Sequence, residues 1–172
     1  QGCLFGQLWP AGRILAAAMV EFDIAGKRIL EIGCGLGLSS LVLQRRRADI
    51  TASDHHPLVE QFLRGNAVRN GLPIVTYHDL PWLTADIALG RFDLIIGSDV
   101  LYEHRHVAQL AALLDRHARA GAEIVIADPG RGFGNPLSLA LRAQDYRVDE
   151  MRCAFEDTER APYRGRLLHY RR

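Results

Sequence analysis

Lysine is almost missing from this sequence. Of 21 basic side chains in 172 residues, only Lys27 is a lysine and the rest are arginine. Arginine grips planar carboxylates and phosphates. A drift towards GC-rich codons gives the same excess, and on composition alone that plainer reading is preferred. Net charge is scarce too, because 21 basic groups against 20 acidic ones leave +1. That balance excludes the electrostatic signature of a dedicated nucleic-acid binder. The cysteines are Cys3, Cys34 and Cys153, an odd and widely spaced set without a Cys-x-x-Cys pair. Neither a disulfide framework nor a metal site is expected, and a reducing cytoplasm fits best. The longest purely apolar run covers 14–20, far short of the roughly 20 residues a membrane span needs. No signal-peptide pattern occurs. The chain begins with Gln1 rather than Met, which is what missing N-terminal sequence would leave.

What remains is an ordinary globular composition, 48% hydrophobic and 24% charged. The length predicts one domain, and a monomer is the default expectation. A chain of about 150 residues hides roughly two-thirds of its unfolded surface, so no disulfide is needed. Pro10 suits the first turn of a helix, and Ile14, Leu15, Ala18, Met19 and Phe22 then share one helical face. Strands are predicted over 28–32, 49–53, 74–77, 92–97 and 123–127. Helices are predicted over 38–46, 57–70 and 105–118, with Gly71 as a C-terminal stop, and another starts at Asn135 and Pro136. Stretches 146–155 and 166–170 read as two last strands around a polar loop. This alternation predicts an α/β fold, a Rossmann-like, doubly wound, seven-stranded and mainly parallel sheet with helices on both faces and its last strand antiparallel. Residues 1–26 are expected to form a lead-in and helix over the site, with 27–172 as the core.

In such sheets ligands sit beyond the carboxyl ends of the strands. Glu31, Asp54, Asp79, Asp99 and Asp128 all fall there, so an acidic rim is expected. Any one of them is weak evidence, since Asp is common in turns. Between the first strand and its helix lies Glu31-Ile32-Gly33-Cys34-Gly35-Leu36-Gly37. Glycines let the backbone approach a ligand closely, and the following helix offers free N–H groups. The spacing is Gly-x-Gly-x-Gly, whereas a dinucleotide fingerprint would need Gly where Leu38 stands. Glu31 would repel a pyrophosphate but suits a cationic amino-acid ligand. Together these point to S-adenosylmethionine, whose ammonium and sulfonium are both positive. Asp54 is the candidate for both ribose hydroxyls, a role that would serve NAD equally well. Asp79 and Leu80 are candidates for the adenine amino group. Trp9, Gly33, Cys34, Gly35, Gly37, His55 and Ser98 complete the expected cofactor set.

The stretch ILEIGCGLGLSSL resembles motif I of class I, seven-β-strand methyltransferases. FDLIIGSDVLYE resembles the Asp-x-x-Tyr segment of the family-sixteen protein lysine methyltransferases, here Asp99 and Tyr102. LWPAGRILA is similar to that family's aromatic lead-in. ADPGR is similar to the segment after the fifth strand in the branch acting on the electron-transfer flavoprotein β-subunit. The family commonly has Leu-Asp-Trp after the third strand, where this chain has Leu80-Pro81-Trp82, which leaves the adenine side resting on Asp79 and the backbone. The resemblance implies methyl transfer to a protein lysine, with S-adenosylhomocysteine as product and Asp99 and Tyr102 as the catalytic pair. Asn-Pro-Pro-Tyr, Asp-Pro-Pro-Tyr and Pro-Cys segments, which the same resemblance would tie to nucleic-acid methylation, are absent.

A lysine amine with a pKa near 10.4 costs roughly 4.6 kcal/mol to present neutral at pH 7. Burial lowers that pKa and a carboxylate raises it. Asp99 is therefore expected to orient the acceptor, partly through its carbonyl, rather than to hold the reacting nitrogen in a buried ion pair. Tyr102 is expected as one aromatic wall. Trp9 and Tyr102 can flank a cation, an attraction worth roughly 0.5–2 kcal/mol. His104 is a candidate proton acceptor or simply a helix start. Arg45, Arg46 and Arg47 are expected to complement a helix dipole. Arg131 can grip an acidic partner or Asp128. Arg160, Arg164, Arg166, Arg171 and Arg172 form a C-terminal cluster that is a candidate surface for an acidic protein. Rival readings are a small-molecule N- or O-methyltransferase on the same scaffold, an NAD-dependent oxidoreductase, and a non-catalytic adenosyl-ligand binding module.

Overall fold

Three short apolar runs, 28–32, 92–97 and 122–127, each carry side chains for two cores, and that is why they form the middle of a sheet buried on both faces. In the computed structural model, which describes residues 7–84, 87–155 and 163–172, the parallel strands are β1 (Arg28–Ile32), β2 (Asp49–Asp54), β3 (Thr76–Asp79), β4 (Phe92–Ser98) and β5 (Ala118–Asp128). A further pair, β6 (Arg147–Phe155) and β7 (Tyr163–Arg171), completes the sheet. The helices are α1 (Pro10–Glu21), α2 (Leu38–Arg45), α3 (Val59–Arg69), α4 (Arg105–His117) and α5 (Gly134–Arg142). The period of two along each strand sorts the side chains. Ile29, Leu94, Ile96 and Val125 face α1, α2 and α3, where Leu15, Met19, Leu43 and Leu63 meet them. Leu30, Ile32, Ile95, Ile124 and Ile126 face α4 and α5, against Leu110, Leu114, Leu137 and Leu141.

The strand order is β3-β2-β1-β4-β5-β7-β6. β1 pairs in parallel with both β2 and β4, and β7 runs antiparallel to both β5 and β6. The chain therefore reverses its direction of travel across the sheet between β1 and β4, which opens a crevice at their carboxyl ends. This is the architecture the alternation predicts.

Several element boundaries differ from expectation: β7 starts at Tyr163, three residues early, and α5 starts at Gly134 behind Phe133, with Asn135 turned to Arg166 at 2.8 Å instead of capping. β3 lies two residues further on, because its register with β2 pairs Thr51 with Thr76 and Asp54 with Asp79, leaving Ile74 exposed. α3 begins at Val59 because Pro57 and Leu58 are spent in a turn closed by Val59 N–H on the His56 carbonyl at 3.1 Å. β5 starts five residues early, since Ala118 pairs with Phe92 before a register shift.

Several arginines are engaged in the fold. Arg46 donates to the Met19 and Phe22 carbonyls at 2.7 and 2.9 Å, so it caps the end of α1 rather than its own helix. In the C-terminal cluster, Arg166 pairs with Asp128 and Glu150, Arg171 pairs with Asp149, and Arg172 lies over the Tyr146 ring. Arg160 falls outside the described residues, as does Cys3. Of this cluster, then, Arg166 and Arg171 are paired with acids of the fold, while Arg164 is exposed. Among the described residues no helix is long and apolar enough to cross a membrane.

Candidate functional site

Beyond the carboxyl ends of β1, β2 and β4 lies a cavity of about 880 Å³. Its floor is the loop between β1 and α2. Gly33, Gly35 and Gly37 have φ of 58, 52 and 78°, the left-handed region that costs other residues roughly 1–2 kcal/mol. A Cβ on Gly37 would run into the Leu63 side chain of α3, and one on Gly33 would come within 3.0 Å of Val100. The loop is folded on itself by Gly37 N–H on the Cys34 carbonyl at 2.8 Å and tied to β2 by Cys34 N–H on the Ser53 carbonyl at 2.9 Å. Its shape thus needs glycine twice over, for backbone and for space.

Two carboxylates border this floor. Glu31 is only 3% exposed. It accepts from the Ser40 N–H at 2.9 Å and from the Ser40 hydroxyl, both on α2. Burial pushes its pKa up to about 7, against the lowering effect of the Ser40 hydrogen bonds and with a small further push from Asp54. Asp54 accepts Gly35 N–H at 3.1 Å on one oxygen and His55 and His56 N–H at 2.7 and 3.1 Å on the other. Three of about four acceptor positions of a carboxylate are thereby filled, and Asp54 still lines the cavity.

The opposite wall comes from the loops after β3, β4 and β5. Trp82, Tyr102 and His106 make edge-on ring contacts, with centroids 4.3 Å apart for Tyr102 and His106 and 5.5 Å for Trp82 and His106. His106 Nδ1 accepts the Glu103 N–H at 3.2 Å, which leaves Nε2 as the protonated nitrogen of the neutral ring. Burial lowers the His106 pKa, favouring that neutral form. Asp99 sits in the left-handed region with φ 50°, its N–H held by the Ala127 carbonyl at 2.9 Å. Arg131 clasps its carboxylate with Nε and Nη2, each at 2.7 Å. Of the two partners left open for Arg131, then, neither an outside acid nor Asp128 is used. Asp128 goes to Arg166 at 3.2 Å.

The cavity lining brings together Trp9, Glu31, Gly33, Cys34, Gly35, Gly37, Asp54, His55, Ser98, Asp99 and Tyr102. Asp79 and Leu80 are not among the lining residues. Leu80 is 1% exposed, and its N–H is spent on the Asp54 carbonyl at 3.0 Å. Pro81 and Trp82 occupy the wall at that point. Nor does His104 line the cavity; it precedes α4 and packs against Phe133. The sequence reading gave no role to Trp82 or His106, and left Arg131 undecided. The one available signal was the aromatic spacing after the third and fourth strands. Among the described residues no cluster of three or more His, Cys, Asp or Glu side chains is placed to hold a metal ion.

A family profile described as lysine methyltransferase matches residues 2–132, well over half of the chain. The chain belongs to the lysine methyltransferase family. It is 31% identical over 128 residues to a protein N-lysine methyltransferase of Danio rerio, covering 69% of this chain and 57% of that one. It is 27% identical over 131 residues to the electron transfer flavoprotein β-subunit lysine methyltransferase of Xenopus laevis, covering 72% and 51%. The chain thus spans a little over half the length of these two relatives. In fold it is similar to magnesium protoporphyrin IX methyltransferase from Synechocystis PCC 6803, crystallised with S-adenosylmethionine, with a TM-score of 0.71 at 18% identity, covering 94% and 77%.

Proposed function

We propose that this protein binds S-adenosylmethionine in the crevice between β1 and β4 and methylates a lysine side chain of another protein. The observation that carries this reading is the pair of buried carboxylates, Glu31 and Asp54, on either side of a floor that two glycines keep open. That donor set fits a ligand with a cationic amino-acid end and a ribose, and it disfavours a pyrophosphate. Glu31, held by Ser40, accepts from the ammonium. Asp54, three-quarters engaged with backbone N–H groups, accepts from one ribose hydroxyl and keeps the loop's shape. Trp82, with Pro81, walls the adenine end in place of Asp79 and Leu80. When bound, S-adenosylmethionine supplies an electrophilic methyl whose bonding electrons leave with the sulfur.

The chain's own task is to bring a free amine to that methyl and keep water away. Tyr102 and Trp9 flank the approach, and Asp99 orients the amine. A protein acceptor is favoured over a metabolite by the cavity border, where Leu8, Leu83 and Tyr102 are 52%, 78% and 51% exposed. Apolar side chains left open around a site fit coverage by a partner surface. The test is incubation with tritiated S-adenosylmethionine in cell extract, which should label a protein band. Label confined to low-mass compounds would reject the protein acceptor. The enzyme itself should stay unlabelled, because Lys27, its one lysine, is paired with Glu123 at 2.8 Å next to the start of β1, the far end of that strand from the cavity.

The raised Glu31 pKa sets the pH dependence of binding. A carboxyl near 7 is mostly protonated at pH 6 and mostly charged at pH 8, and an ammonium ligand prefers the charged form. Affinity for S-adenosylhomocysteine should therefore rise about tenfold between those two pH values. A flat titration-calorimetry profile would remove Glu31 from the ammonium role.

A further inference from the structure

The contact between Asp99 and Arg131 is a two-point ion pair bordering the cavity, and binding of a methyl donor alone does not call for it. Arg131 stands between two glycines, Gly130 and Gly132, with φ of 92 and 94°. Asp128 Oδ1 accepts the Gly130 N–H at 3.1 Å and shapes the turn. The loop after β5 is thus bent to deliver one guanidinium to one carboxylate across the gap from β4. Both contacts are 2.7 Å, the parallel two-point geometry that only Arg can supply. The Asp99 backbone is held from the other side by Ala127.

We propose that Arg131 is a positioning residue that fixes and neutralises Asp99, so that an acceptor amine arriving at Asp99 and Tyr102 meets no net negative charge. This rests on the methyl-donor reading above. A lone carboxylate there would hold the amine as ammonium, without the lone pair needed for transfer, whereas a neutral pair presents only a dipole. The other charges around Asp99 do not substitute for Arg131. From β5 and β7, Asp128 is matched by Arg166, and Tyr163 is a phenol whose pKa burial raises. From the segment leading into α4 and its first turn, Glu103 is matched by Arg105, and burial lowers the pKa of His106. From β1 and β2 come Glu31 and Asp54, both engaged by backbone N–H groups, with His55 and His56 beside Asp54. From the start of α1 the lining residues Trp9 and Gly12 carry no charge. Arg131 is thus the only cation, among the described residues, bonded to Asp99.

The test needs no knowledge of the acceptor. The probe is an analogue of S-adenosylhomocysteine extended by an aminoalkyl arm, whose terminal amine stands where an acceptor nitrogen would. Its bound pKa is read by nitrogen-15 chemical shift against pH, with plain S-adenosylhomocysteine titrated alongside each variant. Arg131→Gln should raise the amine pKa by about one unit. Arg131→Lys, which keeps the charge, should stay near the wild type. Asp99→Asn combined with Arg131→Gln should return the pKa to the wild-type value although the ion pair is gone. No rise in Arg131→Gln would overturn the proposal. A rise that persists in the double variant would overturn it too, since the pair would then act through structure rather than charge. If plain S-adenosylhomocysteine binds no form of the protein, the methyl-donor reading fails first and this assignment falls with it.

Discussion

Glu31→Gln is expected to weaken S-adenosylhomocysteine binding by roughly 30- to 100-fold at pH 8 while making the free protein more stable. The two effects have one cause. Glu31 is buried beside the glycine loop, and burial holds its pKa near 7 where an unfolded chain would have 4.5. A carboxyl raised in this way adds stability in full below about pH 4.5 and loses it as pH climbs through about 7. At pH 8 the folded protein carries a buried charge that costs roughly 3 kcal/mol relative to the unfolded chain. Glutamine removes the charge and keeps an oxygen for the Ser40 N–H and hydroxyl. The thermal midpoint should therefore rise by about 6–12 °C at pH 8 and barely change at pH 4.5. Binding moves the opposite way because a charge-assisted hydrogen bond to the ligand's ammonium is lost. Scanning calorimetry at both pH values, with ligand titration, reads both effects. An equal change in midpoint at the two pH values would contradict the buried-charge account, and undiminished binding would contradict the ligand assignment.

Gly37→Ala is expected to damage stability and binding together. Gly37 stands immediately before α2 with φ 78°, and its carbonyl accepts the Leu41 N–H at 2.8 Å. An alanine there meets the left-handed cost of roughly 1–2 kcal/mol, and its methyl must displace Leu63 in a core where overpacking costs typically 1–3 kcal/mol. A total near 3 kcal/mol corresponds to a midpoint lower by about 6–12 °C for a chain of this size. Leu63→Ala makes space for the methyl but opens a cavity of its own, worth about 2–5 kcal/mol, so it should cost less in the Gly37→Ala background than alone. Thermal melts of both single variants and the double variant separate the backbone cost from the collision as a coupling energy. A midpoint for Gly37→Ala within about 2 °C of wild type would mean that the loop does not hold the shape described.

The parts of the site that could be read from the sequence are contiguous in it. Glu31, the glycine loop and the start of α2 follow one another, and the step from period two to a glycine turn announces a strand feeding a helix. Asp54 was legible for the same reason, as the acidic end of the next strand. What was not legible depends on pairing across the sheet. Asp99 and Arg131 lie far apart in sequence and meet only because β4 and β5 are neighbours, and the competing partner Asp128 is removed by Arg166 from β7, an antiparallel strand inserted from the chain's end. The place of Asp79 and Leu80 outside the cavity lining depends on the register of β3 against β2, which turns the Leu80 N–H to the Asp54 carbonyl. The contact of Trp82 with His106 joins a loop to the first turn of α4, with no shared periodicity. Asp54 shows a subtler gap, in that its position was readable but not its three backbone donors, which limit what else it can accept.

The central claim is methyl transfer to a lysine of another protein. The most direct measurement is tandem mass spectrometry of the protein band labelled in extract, localising the added mass to one side chain. The account predicts increments of about 14 Da on a lysine, lost when Asp99 is replaced by Ala. Modification of any other residue type, or label that survives that replacement, would contradict it.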